Sequence, residues 1–175
     1  MMRCLILLAA SASAAEVVID FESVTVLLAN DKANRAEKWV EKGVTFKLAH
    51  EPSKSKGKGL VMFFEHLSNG HKGIGSATAV EAIPVRATLP RPATTVTVAF
   101  WGSTATPAVL EALDAEGKVV DSASLSTIPR RKSPSEPAPI FTMTVKAPSI
   151  AAIQFSGPRP GEFLAADELR ISFAE

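Results

Sequence analysis

The stretch TTVTVAFW, residues 94–101, alternates small or polar side chains with valine and phenylalanine at a period of two. Successive side chains of a β-strand point to opposite faces of a sheet, so this pattern predicts a strand with one buried face. Similar stretches recur along the chain, with proline, glycine and asparagine between them. The other predicted strands lie at residues 17–22, 43–49, 59–64, 85–89, 108–114, 118–125, 141–147, 150–157 and 168–173.

About ten short strands at regular spacing are typical of an all-β domain, either a β-sandwich or a barrel. We find no repeat and no internal linker, so residues 16–175 are predicted to form a single domain. One segment, NDKANRAEKWVEK at residues 30–42, predicts a short helix capped by Asn30 or Asp31. Gly117 is expected to take the positive φ that a short hairpin connection requires.

Residues 1–15, MMRCLILLAASASAA, have the layout of a secretory signal peptide. Arg3 forms the basic region, an apolar run follows, and small residues precede two acceptable cleavage points, after Ala14 or after Ala15. The apolar run is far shorter than the ~20 residues that a transmembrane helix needs. The sequence therefore predicts an exported protein, secreted or periplasmic, with no transmembrane segment once the leader is removed.

Removal of the leader would take away Cys4, the only cysteine of the chain. The mature protein would then have no disulfide, no thiolate nucleophile and no cysteine-ligated zinc. Loss of Arg3 leaves basic and acidic residues in equal number, which argues against a nucleic-acid partner. The chain has no tyrosine and only three histidines, so we assign no catalytic residue.

The stretch FFEHLSNGHKGIGSA, residues 63–77, has the glycine spacing of a phosphate-binding loop. Ser76 stands where that motif requires lysine, so nothing would reach the β- and γ-phosphates. Asn69 and Gly70 form a strong turn signal. We interpret the stretch as the end of a strand followed by a turn.

Two histidines of this stretch are candidates for a metal site or for an enzyme active site. His66 and His71 are five residues apart, so neither a helix nor a strand aligns them on one face. A loop folded back on itself would bring both to one metal ion together with Glu65. The same three residues, set in a cleft, are the candidates for a secreted glycoside hydrolase or lyase.

Acidic residues near the two ends of the chain suggest a cation site. Asp20 and Glu22 point to the same face of the first predicted strand, and Asp167 and Glu168 begin the last one. In many sandwiches the first and last strands are neighbours, and four converging carboxylates repel one another unless a cation intervenes. Calcium accepts such oxygen ligands, so we consider a structural calcium site. The alternative is that the carboxylates face water separately or pair with Arg170 and nearby lysines.

A leading IDFE, an early GVTF, a central TVTVAFWGS…LEALDAEGKVVDS and a closing IAAIQFSGP…LAADELRIS span most of the mature chain. This pattern resembles secreted bacterial jelly-roll β-sandwich domains, similar to carbohydrate-binding modules and galactose-binding-like domains. The resemblance implies a jelly roll of antiparallel strands. It also implies a calcium ion held by acidic residues of the first and last strands, and exposed aromatic side chains that stack on sugars.

The first functional hypothesis is therefore an exported, non-catalytic binding module for a glycan or another cell-surface partner. Its stacking candidates are Trp39 and Trp101, the two tryptophans of the chain. Lys54, Lys56 and Lys58, in the loop EPSKSKGKG, are candidates for contact with an acidic polysaccharide. A structural envelope protein without a small ligand is a further alternative.

Overall fold

The computed structural model describes residues 16–27, 32–53, 58–66, 70–76, 81–103, 107–129, 133, 136, 139–156 and 163–174, except the side chains of Ser103 and Phe163. These residues form eleven strands and no helix, which confirms the all-β class. They therefore contain no helix of the length and apolar character that crossing a membrane requires. Residues 1–15, the predicted leader, lie outside the described residues. The strands are β1 Glu16–Ile19, β2 Arg35–Ala36, β3 Trp39–Glu41, β4 Val44–Leu48, β5 Val61–Glu65, β6 Lys72–Ser76, β7 Val85–Ser103, β8 Ala108–Leu113, β9 Val119–Leu125, β10 Phe141–Ser156 and β11 Phe163–Phe173.

All strand pairs are antiparallel, and the eleven strands form one continuous hydrogen-bonded sheet. The two longest strands, β7 and β10, pair with different neighbours in their two halves, and we call the two parts of the sheet that they connect the first and second layers. The N-terminal half of β7 and the C-terminal half of β10 lie in the first layer, whose order is β3-β4-β7-β10-β8-β9. The other halves lie in the second layer, in the order β2-β5-β6-β11-β7-β10, with β1 also paired to β11. The register of the β7–β10 pair shifts between Lys146 and Ala152. Such irregularities let a strand pass from one layer to another.

The hydrophobic core lies between these layers. Phe100 is fully buried at its centre, with its ring centroid 5.9 Å from that of Phe141 and 5.3 Å from that of Phe155. Trp39 of the first layer meets Phe63 of the second at 5.0 Å. Aromatic rings from facing strands therefore join the layers, an arrangement consistent with a sandwich.

The predicted helix at residues 30–42 is wrong where the structure describes that segment. Residues 32–34 form a turn, and β2 and β3 follow. Lys42 and Gly43, with φ of 47° and 82°, form the two-residue connection between β3 and β4. Trp39 pairs with Phe46 and packs on Phe63, so burial of its ring outweighs the helix propensity of its neighbours.

The turn predicted after residue 66 is shorter than expected. Gly70 has a φ of 72°, as a turn requires, but β6 begins two residues later. The segment KGIGS has little side-chain alternation, because both of its glycines lie where β6 approaches its neighbours closely. The hairpin between β8 and β9 is confirmed, since Gly117 has a φ of 81°.

Candidate functional site

Three polar side chains from distant parts of the sequence meet beside β11. Glu22 follows β1, His71 precedes β6, and Asp167 lies within β11. The Nδ1 atom of His71 is 3.5 Å from Oε1 of Glu22 and 3.7 Å from Oδ1 of Asp167. One potential ligand atom from each of the three residues lies within 4.8 Å of the others. We call this group the carboxylate–histidine cluster.

Glu22 is directed toward the cluster by an unusual backbone conformation. The preceding residue, Phe21, has a φ of 56°, which is strained for a bulky side chain. Its ring is fully buried and packs at 5.2 Å against Phe46, so burial holds the strained turn in place. Oε1 of Glu22 then accepts a hydrogen bond of 3.1 Å from the backbone N–H of Lys72.

Asp167 is directed toward the cluster by a β-bulge. Ala166 pairs with Phe100, and Glu168 pairs with the next residue of β7, Ala99. Asp167 is therefore an extra residue on β11, without a partner in the β7 register. A bulge of this kind turns a side chain away from its regular direction.

His71 is positioned by a short turn stabilised by backbone hydrogen bonds. The N–H of His66 donates to the carbonyl of His71 at 2.8 Å, and the N–H of Gly70 donates to the carbonyl of His66 at 3.0 Å. These bonds bring the imidazole to the start of β6, where β6 lies against β11. The sequence suggested a turn here, but it did not indicate that the turn ends beside Glu22 and Asp167.

Asp167 is the most buried member of the cluster, with 4% of its surface exposed. Burial raises the pKa of its carboxyl above the ordinary value, and His71 opposes part of this rise. Glu22 raises the pKa further, since two nearby carboxylates disfavour each other's charge. Among the described residues, no donor forms a hydrogen bond with the Asp167 carboxylate; its ion-pair contact is with His71. The site therefore favours a positive charge next to Asp167.

The carboxylates predicted from sequence divide into two groups. Because β1 pairs with β11, the expected adjacency of the chain's first and last strands is confirmed. Glu22 and Asp167 converge, as described above. Asp20 instead accepts a hydrogen bond of 3.3 Å from the N–H of Glu22, and Glu168 pairs with Arg170 at 2.7 Å. Neither Asp20 nor Glu168 belongs to the cluster.

The histidines considered for catalysis have different surroundings. His71 is half-exposed beside two carboxylates, and the hydrolase or lyase hypothesis requires such a histidine to lie in a cleft as well. His66 is 3% exposed and packs edge-on against Trp101 at 4.9 Å. Glu65 pairs with Lys72 at 3.3 Å.

Trp101 does not offer the exposed ring that sugar stacking requires. It is 6% exposed and is covered by His66, at 4.9 Å, and by Phe64, at 6.4 Å. The alternation of β7 places Phe100 in the core, so Trp101 points to the opposite side of the second layer. Aromatic neighbours and close-packed small residues bury the ring of Trp101 there. The alternating pattern of β7 did not indicate that this face of the strand is buried as well.

Trp39 is half-buried at an edge where the two layers meet. Its ring rests against Phe63, and its Nε1–H donates to Oε2 of Glu41 at 3.3 Å. Lys58 reaches the same edge, because its Nζ pairs at 2.7 Å with Glu37, two residues before Trp39. We call these residues the Trp39 edge. The other two lysines of the predicted binding loop, Lys54 and Lys56, lie outside the described residues.

No known protein family matches this chain, and no curated protein matches it. Several solved structures are similar to it. The K1 cleaved adhesin domain of Lys-gingipain from Porphyromonas gingivalis W83 is similar over 92% of this chain and 99% of its own, with a TM-score of 0.45 and 11% identity. The CBM1 of BiXyn10A, in its apo form, is similar over 90% and 97%, with a TM-score of 0.45 and 12% identity.

A third similar structure is TmCBM61 in complex with β-1,4-galactotriose. It is similar over 75% of this chain and 89% of its own, with a TM-score of 0.41 and 12% identity. Several of the similar structures are described as carbohydrate-binding modules.

Proposed function

We propose that this protein is an exported, non-catalytic binding module of jelly-roll type that recognises a glycan on a polymer or cell surface. The observation that carries the proposal is the Trp39 edge. There a partly buried indole is held in one orientation by Phe63 and Glu41, and Lys58 pairs with Glu37, two residues before Trp39. An aromatic ring that is already oriented loses little conformational entropy when a ligand packs on it.

Export is part of this proposal. The predicted leader ends at residue 14 or 15, and β1 begins at Glu16. Cleavage at either point therefore leaves every described strand intact. The expected destination is the periplasm or the medium.

Replacing Trp39 with alanine is expected to weaken glycan binding at least tenfold, which corresponds to about 1.4 kcal/mol. The mature domain is tested on a glycan array, and the glycan that gives the strongest signal is then measured by titration calorimetry. Val40→Ala is the matched control, because Val40 is an exposed neighbour on the opposite face of β3. Equal binding by the Trp39→Ala and Val40→Ala variants would contradict the proposed role of Trp39.

We also propose that the carboxylate–histidine cluster binds a divalent cation that stabilises the fold. The sequence suggested calcium on four carboxylates, but only Glu22 and Asp167 converge. Calcium takes six to eight oxygen ligands, whereas one imidazole with two carboxylates is a donor set that suits zinc. The nitrogen of His71 therefore favours zinc over calcium. Glu22, His71 and Asp167 would hold the ion.

Zinc at about one hundred times its dissociation constant is expected to raise the Tm by about 5–10 °C, since an ion that binds only the native state stabilises it by about 2.7 kcal/mol. Measurement is by thermal unfolding after chelator treatment, with zinc or calcium added back. Asp167→Asn and His71→Ala should abolish the rise, while Asp20→Asn, outside the cluster, should retain it. An equal rise in Asp167→Asn and in Asp20→Asn would contradict the site.

This stabilisation should depend on pH in a defined direction. Burial raises the folded-state pKa of Asp167 above its unfolded value. The protonated carboxyl therefore makes its full contribution to stability when the pH is below the pKa of Asp167 in the unfolded state. This contribution is lost as the pH rises through the pKa of Asp167 in the folded state. The charged form of this carboxylate is buried, and a cation offsets that cost. The zinc-dependent rise in Tm should thus be larger at pH 7 than at pH 4, because protons compete with zinc for Asp167 as the pH falls.

A further inference from the structure

A second polar surface lies on the outer face of the first layer. Five strands of this layer each contribute one polar side chain. These side chains are directly opposite one another in the strand pairs β4–β7, β7–β10, β10–β8 and β8–β9. We call this set the polar row. Its members, in order across the layer, are Lys47, Arg86, Gln154, Glu111 and Ser122.

The polar row points away from the core. In four of its five strands, the residues on both sides of the row member belong to the buried core cluster, as Val85 and Ala87 do around Arg86. Side chains alternate along a strand, so the row members project from the opposite face. Lys47 and Ser122 are exposed, and the three members between them are partly exposed. Adjacent strands are about 4.8 Å apart, so the row extends over about 19 Å.

The centre of the polar row is already ordered by hydrogen bonds. Arg86 Nη2 donates to Oε1 of Gln154 at 3.0 Å, and Nε2 of Gln154 donates to Oε2 of Glu111 at 2.6 Å. This chain fixes the plane of the guanidinium group and the orientation of the amide. Side chains held in this way lose little entropy when they bind a ligand.

The β4 end of the polar row has uncompensated positive charge. Lys47 and Arg86 are directly opposite each other, and like charges in that position are unfavourable. Neither forms an ion pair with an acidic side chain in the described part of the chain. The Nε atom of Arg86 is also buried there without a hydrogen-bond partner. An anion bound between the two side chains would relieve the repulsion.

We propose that the polar row binds a carboxylate-bearing polysaccharide, with a sugar carboxylate between Lys47 and Arg86 and sugar hydroxyls on Gln154 and Glu111. This inference rests on the proposed function and names the ligand class. A glycan lying across the strands places about one pyranose unit over each strand, because the strand spacing is close to the length of one such unit. The charged end adjoins β3, the strand that carries Trp39. Trp39 is directly opposite the core residue Phe46 in the β3–β4 pairing, so its ring lies on the core side of the layer and the polar row is a surface separate from the Trp39 edge.

The test compares the affinity of the mature domain for polygalacturonate, for its fully methyl-esterified form and for an uncharged galactan. We expect polygalacturonate to bind at least about tenfold more tightly than the ester, with an affinity that falls as salt is added. Lys47→Gln and Arg86→Gln should each remove most of that preference. Lys47 is exposed, so its variant is expected to fold normally even if Arg86→Gln does not.

Lys146→Gln is the control, since Lys146 is an exposed lysine of the second layer. Equal affinity for polygalacturonate and its ester would overturn the inference, as would a Lys47→Gln variant that binds like the control. If the domain binds only neutral glycans and needs Trp39 to do so, the polar row has no such role but the proposed function stands. If it binds no glycan at all, both fail.

Discussion

Replacing Phe100 with alanine is expected to destabilise the domain by about 3–5 kcal/mol and to lower its Tm by roughly 8–15 °C. Phe100 is fully buried and packs against Phe141 and Phe155, in the C-terminal half of β7. Removing its ring leaves a cavity that neighbouring strands cannot fill, because their positions are fixed by hydrogen bonds on both sides.

Urea denaturation of the mature domain measures this effect. Phe100→Leu is the matched control, since it keeps most of the volume and should cost less than about 1.5 kcal/mol. A loss below about 1 kcal/mol for the alanine variant would mean that Phe100 does not lie in a close-packed core.

Replacing Gly75 with alanine is expected to separate β6 from β11 and to cost up to about 3 kcal/mol. A Cβ atom at Gly75 would lie 2.6 Å from the backbone oxygen of Leu164 and 3.0 Å from the ring of Phe64. The clash is with backbone, so it cannot be relieved by a change of rotamer. β6 also holds Lys72, whose N–H orients Glu22. The variant should therefore lose the zinc-dependent rise in Tm as well.

The control for this prediction is Gly117→Ala. Gly117 has a φ of 81°, but a Cβ there meets no atom within 4 Å. Its substitution costs only the strain of the left-handed conformation, about 1–2 kcal/mol. Thermal unfolding of both variants separates the two causes. A smaller loss for Gly75→Ala than for Gly117→Ala would contradict the close approach of β6 to β11.

Most of the strands were predictable because their pattern is local. Period-two alternation located strands that bury one face, and Gly117 marked a hairpin. The strands predicted at residues 85–89 and 94–101 form one continuous strand, because β7 continues through Pro90 and Pro92. Proline there interrupts the regular pairing but not the extended backbone, and the chain passes from one layer to the other.

The errors arose where a neighbouring strand decides the local structure. Residues 35–41 have the composition of a helix, but pairing with β5 and β4 places residues 35–36 and 39–41 in strands. β6 has no recognisable pattern, because Gly73 and Gly75 are required by the close approach of β11. Neither constraint can be inferred from the residues of the segment alone, because each depends on a strand that is distant in sequence.

The cation site was predictable only in part. Glu22 and Asp167 were expected to converge because the chain's first and last strands pair, and this pairing exists. The alternation of side chains along a strand could not reveal that a bulge directs Asp167 toward the cluster and separates it from Glu168. His71 is a candidate ligand in the sequence only together with His66 and Glu65, because Glu22 and Asp167 are about fifty and one hundred residues away from it. The polar row was not predictable either, because its register is set by four separate strand pairings.

The presence of β7 and β10 in both layers has a mechanical consequence. A sandwich whose layers were joined only by loops could open like a hinge under tension. Here the layers are connected by two paired strands that continue through both, so separating the layers requires this strand pair to bend. We therefore expect the two layers to unfold together rather than one after the other.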